Sequence, residues 1–175
     1  MSTTARRHLS GRFRNRLGSF GMTAVIGFMG IGGALQQCAP APAPVIVQVG
    51  GVQSAAVGAV NARRANAGLP ALVVDSRLTS AAQSHANDMA SRRVMTHVGA
   101  NGNNAGQRIA IYGYGASTWG ENVAAGQTTA AEVVDAWMRS SGHRANILGS
   151  RWTNIGVAAA KGSNGVTYWT MVFAA

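Results

Sequence analysis

The chain has 175 residues, enough for one domain of ordinary size. Fifteen Lys and Arg against five Asp and Glu give a net charge of +10, while 47% apolar residues allow a real core and exclude a disordered or collagen-like chain. A single cysteine excludes a disulfide framework and a Cys-based zinc finger.

The charge is unevenly placed. Residues 1–50 hold Arg6, Arg7, Arg12, Arg14 and Arg16 and no acid, so half of the net charge lies there. Phe20 to Leu35 follows as an apolar run of 16 residues containing five glycines, short for a bilayer span of about 20 residues. A basic stretch before such a run predicts an export signal over residues 1–38. Arg6-Arg7-His8-Leu9 resembles part of a twin-arginine signal, although the apolar run starts far downstream of it.

Two processing routes stay open. Leu35 lies three residues before Cys38, as in a bacterial lipoprotein box that lipidates the cysteine, but Gln36-Gln37 stand where small residues are expected. Ala39-Pro40-Ala41 and Ala41-Pro42-Ala43 fit an ordinary cleavage pattern, yet each is followed by proline. Either route predicts an extracytoplasmic domain, with membrane contact only through the N-terminal signal or a lipid anchor. Residues 39–51 read as an Ala/Pro-rich spacer ahead of a domain over 52–175.

Within the domain, Ser54 to Ala67 predicts a first helix, stopped by Gly68-Leu69-Pro70. Leu72-Val73-Val74 is a short extended stretch, and Asp75 stands where a helix N-cap belongs. Leu78, Ala81, Ala82, His85, Met89 and Val94 then recur at helical spacing, with His85 expected as a core histidine. Residues 96–120 are glycine-rich loop around a short helix near 105–112. Thr129-Ala130-Ala131-Glu132 is a capping box opening a helix through Ser140, its buried side supplied by Val133, Val134, Trp137 and Met138. Asn154 to Ala159 and Val166 to Phe173 are strand-like, and the Asn164-Gly165 between them predicts a hairpin. Helices first and a hairpin last predict an α+β layered domain. Trp119, Trp137, Trp152 and Trp169 are expected in the core.

Motif searches remove several activities. The chain has no G-x-S-x-G elbow, phosphate-binding P-loop, dinucleotide fingerprint or H-E-x-x-H. Cys38 lies outside the domain and cannot be its nucleophile. A nucleic-acid partner is rejected, because half the positive charge belongs to the signal and no row of base-stacking aromatics accompanies the rest. Ser140 and Ser141 beside His143 lack an elbow and a convincing orienting acid, which argues against serine catalysis.

Three ionisable side chains remain in loop contexts: His97, Glu121 and His143. Two imidazoles and a carboxylate are the ligand types of a zinc site with an open fourth position. The same set equally suits a buried polar brace between loops. Asn122 and Asn146 are expected to brace the segments carrying Glu121 and His143, and Arg144 to present a charge at the cleft.

The region from Ala56 to Ala174 resembles a domain of the CAP superfamily, the SCP/PR-1 group, in its bacterial form. The matching pieces are Ala82-Gln83-Ser84-His85-Ala86-Asn87-Asp88-Met89-Ala90, Thr96-His97, Gly120-Glu121-Asn122-Val123-Ala124, Val134-Asp135-Ala136-Trp137-Met138, Ser141-Gly142-His143-Arg144-Ala145-Asn146-Ile147-Leu148, Asn154-Ile155-Gly156-Val157 and Tyr168-Trp169-Thr170-Met171-Val172-Phe173. The resemblance implies an α-β-α sandwich around a small antiparallel sheet, with a cleft lined by two histidines and up to two glutamates. His97, Glu121 and His143 match three members of that tetrad. Ser140 stands where many members have the second Glu, and Met171 replaces a usual Gln.

The missing Glu leaves the site short of a base to activate water, which argues against vigorous hydrolysis. The favoured expectation is an extracytoplasmic binding or interaction module, its cleft taking Zn²⁺ or another divalent metal, a small or lipid-like ligand, or a cell-envelope component. The rivals are a metal-assisted hydrolase of peptides or envelope polymers using His97, Glu121 and His143, and a purely structural envelope protein.

Overall fold

The computed structural model describes residues 49–175. The expected export signal, Cys38 and residues 39–48 of the expected spacer lie outside them. The elements run α1 (Val49–Asn66), β1 (Val73–Val74), α2 (Ser76–Arg92), α3 (Ala105–Ile111), β2 (Trp119–Ala125), α4 (Ala130–Arg139), α5 (Ser141–Ile147), β3 (Asn154–Lys161) and β4 (Thr167–Ala174). The α+β class is as read from the sequence.

Local chemistry places the helix ends. Gly68 takes the left-handed conformation (φ 71°) after α1, which lets the Leu69 N–H reach the Arg64 carbonyl. The Asp75 carboxylate caps α2 by accepting from the Arg77 and Leu78 N–H groups. Thr129 and Glu132 form the expected capping box at α4, and Asn104 with Gln107 forms a second at α3.

Several boundaries differ from expectation. The first helix starts at Val49, not Ser54, so residues 49–51 of the expected spacer are helical. Val94 lies beyond the end of α2 and is exposed, because Arg93 turns left-handed (φ 57°) and ends the buried stripe. Residues 119–125 form a strand and 141–147 a helix, so neither Glu121 nor His143 lies in a loop.

The sheet order is β1-β3-β4-β2, with β1 parallel to β3 and the other neighbours antiparallel. The sheet is therefore mixed, because the chain crosses from β1 to β3 through α2–α5 instead of turning back beside it. Side chains alternate between its two faces at period two. Ile155, Val157, Trp169, Met171 and Phe173 point toward the cluster containing Ala56, Val60, Val133, Val134, Trp137 and Ile147 of α1, α4 and α5. Ala158, Val172 and Ala174 point the other way, onto Leu78, Ala81, Ala82 and Ala86 of α2 and Ile109 of α3. Helices thus cover both faces, as the α-β-α resemblance implied.

Three of the four tryptophans are buried and their indole N–H groups reach carbonyls: Trp137 to Val123, Trp152 to Asn146 and Trp169 to Gln127. Trp119 does not follow them. It opens the edge strand β2, is 45% exposed, and packs its ring over Gly106.

Gly156 sets how closely α2 approaches the sheet. A Cβ there would collide with the backbone of Leu78 and Thr79, which cannot yield as a side-chain tip can. Gly156→Ala is expected to destabilise the fold by about 3 kcal/mol, the upper end for overpacking. A urea melt of the variant checks this, and a loss below about 0.5 kcal/mol would show that α2 can slide.

Candidate functional site

Strand β2 is an edge of the sheet, and its alternation sends Glu121 and Asn122 to opposite faces. Glu121 lies on the same face as Val123, toward α2 and α3, while Asn122 shares the face of Ala124, toward α5. The sequence-predicted site is therefore assembled across a sheet edge, with one part from each layer.

On the first face the Glu121 side chain is only 2% exposed. Its Oε1 contacts His97 Nδ1 at 2.9 Å, and its Oε2 accepts from the guanidinium of Arg108 on α3. Arg108 is itself buried, and its Nη1 also donates to the carbonyls of His97 (3.1 Å) and Asn103 (2.7 Å). One guanidinium therefore fixes both the carboxylate and the backbone that carries His97. The His97 side chain remains 57% exposed.

On the second face Asn122 donates to the His143 carbonyl at 3.0 Å. Asn146 Nδ2 donates to the Glu121 carbonyl (3.1 Å) and to Asn122 Oδ1 (2.8 Å). These amides tie α5 to the edge strand and hold His143 beside it. Ser140 joins α4 to α5, but its side chain makes no capping bond. Arg144 lines an open depression of about 420 Å³ with Met138, Arg139, Ser141, Ala145 and Leu148.

The two imidazoles are tuned in opposite directions. The Glu121 hydrogen bond raises the His97 pKa above the ordinary 6.5, against the effect of partial burial. Burial lowers that of His143, and the nearby charge of His97 lowers it further. His85, the buried histidine of α2, bonds the Thr96 carbonyl through Nε2 at 2.7 Å, and burial lowers its pKa as well.

A divalent cation at His97, Glu121 and His143 would need the Glu121 carboxylate as a ligand. Both oxygens of that group already have partners, and one partner is a buried cation that would repel a second positive charge. Among the described residues no three His, Cys, Asp or Glu side chains converge as a metal-holding group. The residues present do not fit a three-ligand centre in this arrangement. They form an ion-paired brace flanked by two accessible imidazoles.

The sequence reading did not include Arg108. Its signal was present, since Ala105, Arg108 and Ile109 stand at the i, i+3, i+4 spacing of one helix face.

The family model described as CAP, the cysteine-rich secretory protein family, matches residues 57–173. The chain belongs to that family, in its bacterial form. It is 36% identical over 113 residues to the uncharacterized protein YkwD of Bacillus subtilis, a match covering 65% of this chain and 43% of that protein. Among solved structures it resembles an extracellular protein containing an SCP domain from Bacillus anthracis, with a TM-score of 0.65 and 25% identity over 72% of this chain and 41% of that one. It also shares the fold of an outer surface protein from Borrelia burgdorferi, with a TM-score of 0.63 and 24% identity over 67% of this chain and 87% of that one. No helix among the described residues is long and apolar enough to cross a membrane.

Removing either partner of the buried pair tests the brace. Arg108→Met strands the buried Glu121 carboxylate and is expected to cost about 3–5 kcal/mol in urea melts, whereas Arg108→Met combined with Glu121→Leu recovers much of that loss. In histidine NMR titrations His97 is expected to titrate above 6.5 and His143 below it, with Glu121→Gln lowering His97. For His85 the folded pKa lies below the unfolded one. Its contribution to stability is therefore complete above about 6.5 and declines as pH falls from there toward the folded value. His85→Gln should flatten that decline.

Proposed function

We propose that this chain is an extracytoplasmic binding module, whose contact groups at the β2 edge are the imidazoles of His97 and His143, held in place by the Arg108–Glu121 pair. The observation that carries this reading is the sealing of Glu121. A hydrolase of this design needs a carboxylate that meets water or a metal. Here the only carboxylate of the cluster is almost fully buried and bonded to Arg108 and His97. Ser140, at the position of the second family Glu, supplies no replacement base.

An extracytoplasmic location is supported by the basic and apolar N-terminal sequence and by the extracellular nature of the Bacillus anthracis neighbour. The chain spans less than half of its curated relative, so the reading concerns this domain and not everything such a protein does. The ligand classes that suit two accessible imidazoles beside a neutralised carboxylate are a divalent cation bound by imidazoles alone and a polar group of a small or envelope-derived molecule. A lipid-like ligand would have to present its polar head to the same pair.

Zinc titration calorimetry on the full chain separates binding module from metal hydrolase. The expected result is weak, saturable uptake that disappears in His97→Ala or His143→Ala and survives Glu121→Gln. It should fall far short of the roughly 10–16 kcal/mol of a complete structural zinc site. Tight one-to-one binding abolished by Glu121→Gln would mean that the carboxylate leaves Arg108 for the metal, and the hydrolase reading would replace this one.

A further inference from the structure

Helix α5 divides its side chains between two sides. Asn146 bonds to strand β2 and Ile147 is buried in the core. Ser141, Arg144, Ala145 and the C-cap Leu148 instead follow one another at the i, i+3, i+4, i+7 spacing of a single helical stripe. With Met138 and Arg139 at the end of α4, that stripe lines an open depression of about 420 Å³. Met138 and Leu148 are half-buried and pack against the main core cluster, so part of the lining is apolar surface continuous with the core. Arg139 and Arg144 are exposed.

The positive charge of this depression is unanswered. No acidic side chain lines it. The five acids of the chain are engaged elsewhere: Asp75 with Arg77, Asp88 with Arg92, Glu121 with Arg108, Asp135 with Arg63, and Glu132 with Thr128 and Thr129. Asp135 stands one helical turn before Arg139, yet it meets Arg63 of α1, at 2.6 Å. Among the described residues neither Arg139 nor Arg144 has an ion-pair partner.

Two guanidiniums beside an apolar lining suit an anion carried on an apolar body, and guanidinium pairs with carboxylate in a two-bonded fork. The shape selects the bearer. Ligand pockets bury about 70–90% of a small molecule's surface. In an open depression a free amphiphile would leave much of its apolar surface in water. A protein partner brings its own surface to close the mouth and inserts only a side chain. Charge excludes two nearer occupants. Residues 1–48 hold five arginines and no acid, and a second copy would offer only acids that are already bonded. The support is held in advance, since Arg64 fixes the Ile147 and Gly149 carbonyls and Asn122 the His143 carbonyl. Docking there orders little backbone, which favours affinity.

We propose that the α4–α5 depression docks an acidic segment of a partner protein, with one apolar side chain against Met138, Ala145 and Leu148 and flanking carboxylates on Arg139 and Arg144. His143 belongs to the same helix but does not line this depression.

The test is an amide NMR titration of the full chain, at low salt, with a capped pentapeptide that carries leucine between two pairs of glutamates. Saturable shifts centred on residues 138–148 are expected. Affinity should fall about tenfold or more in the double variant Arg139→Gln, Arg144→Gln, and about tenfold when serine replaces the leucine of the peptide. Both arginines are exposed, so the double variant keeps the fold. Lys161→Gln removes a charge from an exposed position outside the depression and should change affinity by about twofold at most. Absence of saturable shifts, a comparable loss in Lys161→Gln, or indifference to the leucine would overturn the proposal. So would binding to phosphatidylglycerol vesicles that the double variant abolishes while the peptide produces no saturable shift, because the depression would then face a lipid surface. Zinc uptake reads the imidazoles and not this stripe, so this inference and the binding-module reading fail separately.

Discussion

The buried Arg108–Glu121 pair is the constraint on which the site's arrangement depends. A carboxylate at the edge of a sheet, covered by helix α3, is tolerated because a guanidinium meets it directly and the exposed His97 takes its other oxygen. Ion pairs taken out of water are poor sources of net stability, since desolvation cancels much of the attraction. Their effect is geometric. Arg108 also binds the backbone carbonyls of His97 and Asn103, so the segment between α2 and α3 must close around one planar group. That closure places His97.

A second buried arginine does the same on the opposite face. Arg64 of α1 is fully buried and donates to the carbonyls of Pro70, Ile147 and Gly149. It satisfies the C-terminal carbonyl of α5 and the turns on either side, which would otherwise be unpaired away from water. With Asn122 and Asn146 pinning α5 to β2, the helix that carries His143 is held at both ends. The two histidines are thus fixed from opposite faces of the sheet, each through the edge strand.

How legible this was in the sequence depended on whether a feature was local. The capping box at Thr129 and Glu132, the Asp75 cap and the Asn164-Gly165 hairpin follow from contacts within four residues, and each forms as expected. Strand β2 was hidden because Gly120–Ala124 is buried on both faces and interrupted by polar side chains that face helices, so no polar-apolar alternation marks it. Helix α5 has Ile147 as its only buried residue, and its short sequence carries no helical period. Val73 and Val74 are apolar yet exposed, because β1 is two residues long and lies at the other edge. His97, Glu121 and His143 were recognisable from the family pattern. What holds them was not, because Arg108 and Arg64 are far from their partners in sequence. Both nevertheless stand on buried helix stripes, Arg64 four residues after Val60 and eight after Ala56, and Arg108 beside Ile109. A charged residue on such a stripe calls for a distant partner, since Arg is almost never fully buried alone.

The demand for a partner inside the core also bears on what the domain does. If the second glutamate of the family pattern were present, one carboxylate could pair with Arg108 while the other faced solvent and a metal. With Ser140 in that place the remaining carboxylate must serve as the structural anion, because leaving Arg108 unpaired in the core would strand a buried cation. In the structure that side chain is bonded to Arg108 and His97. The imidazoles escape that competition. His97 needs Glu121 only as an orienting partner, and His143 is held through its backbone carbonyl, so its ring stays free. The cleft thus combines an anion neutralised from within with two histidines tuned in opposite directions.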